Sequence, residues 1–190
     1  MYSYLPFDEV EFPKNYFNTS NLYVPETLFP NKKYEIKANE NEDDSQSSHP
    51  NIHNRKAKIK IEIANYANWG TQTSLSSISE FDYIRTICRF ESVRTDILYS
   101  NYGDALYSIF VLEKEHSNSI YLKRMKAQAW LGLVQYKKDD NIEQTINRTS
   151  DLQGESAAIH FFIRKLKKEG VLTLALRQVY DLKKLNPHDK

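Results

Sequence analysis

One stretch, from Ser79 to Tyr136, constrains the fold more than any other part of the chain. Its apolar residues recur every three or four positions, in runs separated by two short polar breaks at 100–104 and 115–119. That spacing places apolar side chains on one face of a helix, and such polar breaks are typical of helix-to-helix turns. The stretch therefore predicts three consecutive amphipathic helices.

The first of these helices is predicted to begin at Ser79, with Asp82 at the capping-box position three residues later. Its predicted inner face carries Phe81, Ile84, Ile87, Cys88, Val93, Ile97 and Leu98. The single cysteine is therefore expected to be a small core residue, since free cysteines are commonly buried.

Further helices are predicted on either side. One covers 50–64, capped by Ser48, although a strand over Ile59–Ile63 is an alternative. Two more cover 155–168 and 171–185, with Gly170 ending the first of them. The predicted class is mainly α, with an antiparallel, tetratricopeptide-like helical array that follows an irregular N-terminal arm.

That arm is rich in proline and aromatic residues. Residues 1–34 contain four prolines and nine aromatic residues. Proline at this density prevents a long helix, and so many rings are unusual in a solvated tail. We expect an extended arm that packs its rings on the helical body or on a domain outside this chain, with a disordered tail as the alternative.

The polar, acidic run at 37–48 can bury very little and is predicted to be a linker. The predicted organisation is thus an arm over 1–36, this linker, a helix and connection over 49–78, and a helical domain over 79–190.

Charge and hydropathy exclude several kinds of partner. Twenty-six basic residues against twenty-five acidic ones predict no nucleic-acid binding, which needs a concentrated positive field. No apolar run is long enough to span a membrane, and the N-terminus lacks a secretion-signal pattern. Nothing in the sequence predicts a compartment.

A weak internal repeat points to protein binding. Tyr102 and Tyr136 are 34 residues apart, which is the tetratricopeptide period. The segment from Asn101 to Leu106 resembles the start of the second helix of such a repeat, and Trp130-Leu131-Gly132 resembles the first helix of the next. The resemblance implies a helical face that binds a protein or peptide partner.

Catalytic signatures are scarce. The sequence has no His-Glu-x-x-His helix, no glycine-rich phosphate loop and no Gly-x-Ser-x-Gly elbow. His49 and His53 are four residues apart, but no cysteine or carboxylate stands at ligand spacing beside them. We therefore predict no metal site and no cofactor in this chain.

One short motif stands out. Ser48-His49-Pro50, with Arg55 six residues beyond the histidine, resembles the His-Pro segment of zinc peptidases of the HtpX and CAAX-prenyl-protease type. A Bacteroidetes-like branch of that family carries a tetratricopeptide-like tail, which the later helices resemble. The resemblance implies that His49 stabilises the transition state and that Arg55 supports the third zinc ligand.

The zinc-binding helix of that family is absent, and Glu40 and Glu42 lie in the predicted linker. We therefore expect a catalytically incomplete relative, or a C-terminal fragment, that acts through its helical tail and needs a missing catalytic domain for zinc. The alternative is a stand-alone helical interaction module. An independent enzyme has no positive feature in its favour.

Overall fold

The computed structural model describes residues 10–19, 22–35, 43, 45–46, 48, 50–65 and 77–185. Within these residues the chain forms six α-helices and no strand, which confirms the mainly α prediction. The helices are α1 (Ile52–Asn65), α2 (Ile78–Leu98), α3 (Tyr102–Glu113), α4 (Ile120–Lys138), α5 (Ala157–Lys165) and α6 (Lys168–Leu185). Short 3₁₀ turns cover Glu26–Leu28, Ile142–Gln144 and Thr149–Asp151.

The described residues divide into two compact units. Those within 37–83 belong to one unit, and those within 3–36 and 84–190 belong to the other. The N-terminal arm and the C-terminal helices therefore share one unit.

The first unit contains α1, whose N-terminus is capped by Asn51. The Asn51 Oδ1 atom accepts a hydrogen bond from the Asn54 backbone N–H at 2.8 Å, so the cap lies three residues beyond the predicted Ser48. The helix continues through Ile59 and Ile63, so the alternative strand is wrong. Both isoleucines are exposed.

The start of α2 differs from the prediction by two residues. Ser77 Oγ accepts the Glu80 backbone N–H at 3.2 Å, and Glu80 Oε2 accepts the Ser77 backbone N–H at 3.1 Å. This reciprocal pair is a capping box, built from Ser77 and Glu80 rather than from Ser79 and Asp82.

The predicted inner face of α2 is correct only near its C-terminus. Val93 and Ile97 are buried, whereas Cys88, Ile84 and Ile87 are exposed. Periodicity identifies the apolar face of a helix, but coverage of that face depends on which other elements reach it. The prediction that Cys88 is a core residue is therefore wrong.

The second unit is held together by the packing of α3, α4, α5 and α6. A short turn joins α3 to α4, which Ser119 caps by accepting the Leu122 backbone N–H at 3.3 Å. α4 packs on both α3 and α6, and α3 also packs on α5. Apart from α3 and α4, the packed helices are thus two apart along the chain.

The break between the last two helices is not at Gly170, which lies in the first turn of α6. It is at Leu166, which follows α5 in an extended conformation with φ −63° and ψ 136°. The Leu166 side chain is buried. The chain can leave the helix here without glycine because an extended φ/ψ pair is open to any residue.

The described part of the arm packs on the helices of its own unit. Phe12 meets Phe110 of α3 edge-on, with ring centroids 4.8 Å apart, and Phe29 stacks on Phe162 of α5 at 4.6 Å. Three of the arm's phenylalanines and one valine are buried: Phe12, Phe17, Val24 and Phe29. Of the expected partners for the rings, the helical body is the one observed, and the disordered-tail alternative is wrong for these residues.

Candidate functional site

The motif that resembles a peptidase segment is only partly described. His49, Glu40 and Glu42 lie outside the described residues. Arg55 lies on α1 with an exposed side chain, and it lines a shallow groove together with Pro50. The structure therefore brings Pro50 and Arg55 together, and the role of His49 stays a prediction.

No group of three or more histidine, cysteine, aspartate or glutamate side chains is arranged to hold a metal ion among the described residues. Across the same part of the chain, every helix is too short or too polar to cross a bilayer.

A buried polar cluster surrounds His160 of α5, which is only 1% exposed. Its Nδ1 atom accepts the backbone N–H of Asn147 at 3.0 Å, and its Nε2 atom lies 3.0 Å from Asp104 Oδ1. Gly103 makes room for the ring, because a Cβ atom at this position would lie 2.3 Å from His160 Cε1. The His160 ring is thus packed tightly between α3 and α5.

These partners decide what His160 can do chemically. Accepting from Asn147 fixes Nδ1 as the unprotonated nitrogen, so the neutral ring carries its proton on Nε2 and donates it to Asp104. Both nitrogens are thus engaged, and the ring is out of reach of solvent. A general acid or base must reach a substrate proton, so this arrangement serves to fix the start of α3 against α5.

Asp96, near the end of α2, adds a pH-sensitive group to this region. Burial, followed by the nearby Asp104 carboxylate, raises the pKa of Asp96 to about 7, although a hydrogen bond from Asn101 opposes the rise. The side chain is half-buried. The cluster thus contains a carboxyl group that changes charge close to neutral pH.

A second polar cluster fastens the arm to the helices. The Tyr16 hydroxyl donates to Glu113 Oε2 of α3, and Lys126 Nζ of α4 lies 3.0 Å from the same oxygen. Lys126 Nζ also lies 4.2 Å from the centroid of the Tyr16 ring. Burial raises the pKa of Tyr16 and lowers the pKa of Lys126. We call these three residues the arm clamp.

The outer face of α6 carries an apolar row that nothing in the described chain buries. Leu172 is 46% exposed, Leu176 59%, Val179 37% and Tyr180 63%. The opposite face of the helix is buried through Val171, Leu174 and Ala175. We define the α6 seam as Glu169, Leu172, Leu176, Val179 and Lys183, which are spaced three, four, three and four residues apart, together with Tyr180, one turn beyond Leu176.

The helix that carries the seam is predicted from the sequence, but the seam itself is not. The signal that could have revealed it is the presence of two apolar rows on one helix, because packing against one neighbouring helix covers only one of them.

Comparison of the chain with known protein families, with characterised proteins and with solved structures finds no match. The chemistry of the surface therefore carries the functional argument.

Proposed function

We propose that this chain is a helical interaction module that binds a protein or peptide partner along the α6 seam. The observation that carries the proposal is the row of exposed leucine, valine and tyrosine side chains on a helix whose other face is already buried. Single exposed apolar residues are ordinary, but a contiguous row along a helix is typical of an interaction surface.

The packing order supports a tetratricopeptide-like array as the scaffold. In helical repeat proteins, each unit stacks on its neighbour, so helices two apart along the chain contact each other. The α4–α6 and α3–α5 contacts follow this order. Gly132 of α4 supports it too, because a Cβ atom there would lie 2.2 Å from Tyr102 Cζ of α3, which shows how closely the ring approaches the helix.

The scaffold that presents the seam is pre-organised. The arm clamp and the buried rings of Phe12 and Phe29 fix the arm on the body. A surface held in its binding conformation loses little further conformational entropy on association, and this favours affinity.

Site-specific photocrosslinking tests the proposal. Tyr180 is replaced by the photoreactive residue p-benzoylphenylalanine, and the chain is irradiated in the cells that produce it. We expect discrete crosslinked products from position 180. The matched control places the same residue at Asn118, which is exposed in the turn between α3 and α4. Equal products from both positions, or none from 180, would contradict the proposal.

A second proposal follows from the groove that Pro50 shares with Arg55. We propose that this groove is the remnant of a peptidase His-Pro segment, in a protein whose catalytic domain lies outside this chain. Immunoblotting of the endogenous protein with an antibody to α6 tests it. A species much heavier than 22.3 kDa supports this relationship, and a single species at that mass argues against it.

A further inference from the structure

We infer that the occupant of the α6 seam is the α6 helix of a second copy of this chain, in antiparallel orientation. The inference rests on the proposed function, since it names the partner of the surface assigned there. Three features carry it: the spacing of the seam, its apolar centre and its oppositely charged ends.

The spacing is that of a two-stranded helical seam. Alternating steps of three and four residues keep side chains in register with a second helix that packs alongside. From Glu169 to Lys183 the seam covers four such steps, or about 21 Å of helix at 1.5 Å per residue. This length is sufficient for two helical packing layers on either side of Leu176.

The charges select the antiparallel orientation. A two-fold axis through Leu176 places Glu169 of one copy level with Lys183 of its partner, and the same pair recurs at the other end. Leu172 then lies level with Tyr180 of the second copy. A parallel pair would instead bring Glu169 against Glu169 and Lys183 against Lys183, and like charges repel.

The seam therefore complements itself, both in apolar content and in charge. Such self-complementarity is what a two-fold interface requires, because the same patch must serve both copies. The exposed apolar area along one helix is on the order of several hundred Å², below the ~800 Å² per partner of a standard interface. We expect a reversible dimer with a dissociation constant on the order of tens of micromolar.

Sedimentation equilibrium between about 5 and 500 µM measures this association. Leu176→Asp introduces a charge at the centre of the seam and should leave the chain monomeric. Since Leu176 is 59% exposed, the variant should keep its fold, which far-UV circular dichroism checks. The matched charge control is Asn118→Asp, which adds the same single negative charge at an exposed position in the α3–α4 turn and should leave the association unchanged.

Charge reversal tests the orientation. Glu169→Lys and Lys183→Glu should each weaken the dimer on the order of tenfold, because each replaces two attractive contacts with two repulsive ones. The double variant Glu169→Lys/Lys183→Glu should restore the wild-type association, and all three effects should shrink in high salt.

A wild-type chain that stays monomeric at about 500 µM would overturn the inference, as would a dimer that survives Leu176→Asp or a double variant that stays weak. The crosslinking experiment separates the two proposals. A monomeric chain that still gives a crosslink from position 180 to another protein overturns the dimer and leaves the interaction module standing. A monomeric chain with no crosslink overturns both.

Discussion

Substituting alanine for Gly103 probes the close contact between α3 and the His160 ring of α5. The new Cβ atom would lie 2.3 Å from His160 Cε1 and 2.4 Å from Nδ1. The ring has nowhere to move, because it is 1% exposed and is held by Asn147 and Asp104.

Three contributions determine how much stability Gly103→Ala should cost. Overpacking a core costs about 1–3 kcal/mol. Displacing the ring also weakens its two hydrogen bonds, at about 1 kcal/mol each. The gain in helix propensity on replacing glycine by alanine is at most about 1 kcal/mol. We therefore expect Gly103→Ala to lower the free energy of unfolding by about 2–4 kcal/mol, which for a chain of this size lowers Tm by roughly 5–15 °C.

Urea and thermal unfolding followed by circular dichroism measure this change. Gly170→Ala is the matched control, because its Cβ atom would meet only the flexible end of Leu166, at 3.0 Å. That variant should be neutral or more stable by up to about 1 kcal/mol. If Gly103→Ala were as stable as the wild type, or if both variants lost the same stability, the close approach of α3 to His160 would be refuted.

Three further predictions concern polar groups in the same unit. Glu113→Leu should destabilise the chain by about 3 kcal/mol, since it leaves the buried Lys126 ammonium unpaired, and adding Lys126→Met should recover most of that loss in urea unfolding. Because the folded-state pKa of Asp96 is about 7, above its ordinary value of 3.8, the folded chain binds the extra proton and stability should fall as pH rises from 4 to 7. Asp96→Asn should remove that fall and raise the free energy of unfolding by about 2 kcal/mol at high pH. This gain is smaller than the full pKa shift of Asp96 implies, because water reaches the half-buried carboxyl group. Unfolding curves at several pH values measure the effect. Tyr107→Phe should cost about 2 kcal/mol and speed proteolysis of the arm, because the Tyr107 hydroxyl accepts the Val10 N–H and donates to the Val10 carbonyl, both at 3.0 Å.

Local sequence patterns locate the central helices well. α3 begins within the first predicted break, at Tyr102, and α4 begins directly after the second, at Ile120, because both breaks carry turn-forming polar residues. Gly170 misled the prediction for the opposite reason. Glycine is compatible with the first turn of a helix, and the buried, extended Leu166 ends α5 without any turn signal of its own.

Coverage of a helix face and contacts between distant residues are harder to predict. His160 pairs with Asp104, which is 56 positions away, and no periodicity encodes that contact. The exposed apolar residues of α6 and the exposed Cys88 of α2 are equally hard to predict. Both lie on helices whose apolar content exceeds what neighbouring helices cover, so only the tertiary arrangement decides which residues stay exposed.

The measurement that tests the α6 seam most directly is the crosslinking yield from position 180, compared between the natural seam and one that carries Leu176→Asp. Both chains must show the same far-UV circular dichroism. If the seam binds a partner, the products from position 180 will disappear in the Leu176→Asp chain, because a charge at the centre of an apolar contact cannot be desolvated cheaply. Products that persist unchanged in that variant would show that binding does not use the seam and would contradict the proposed function.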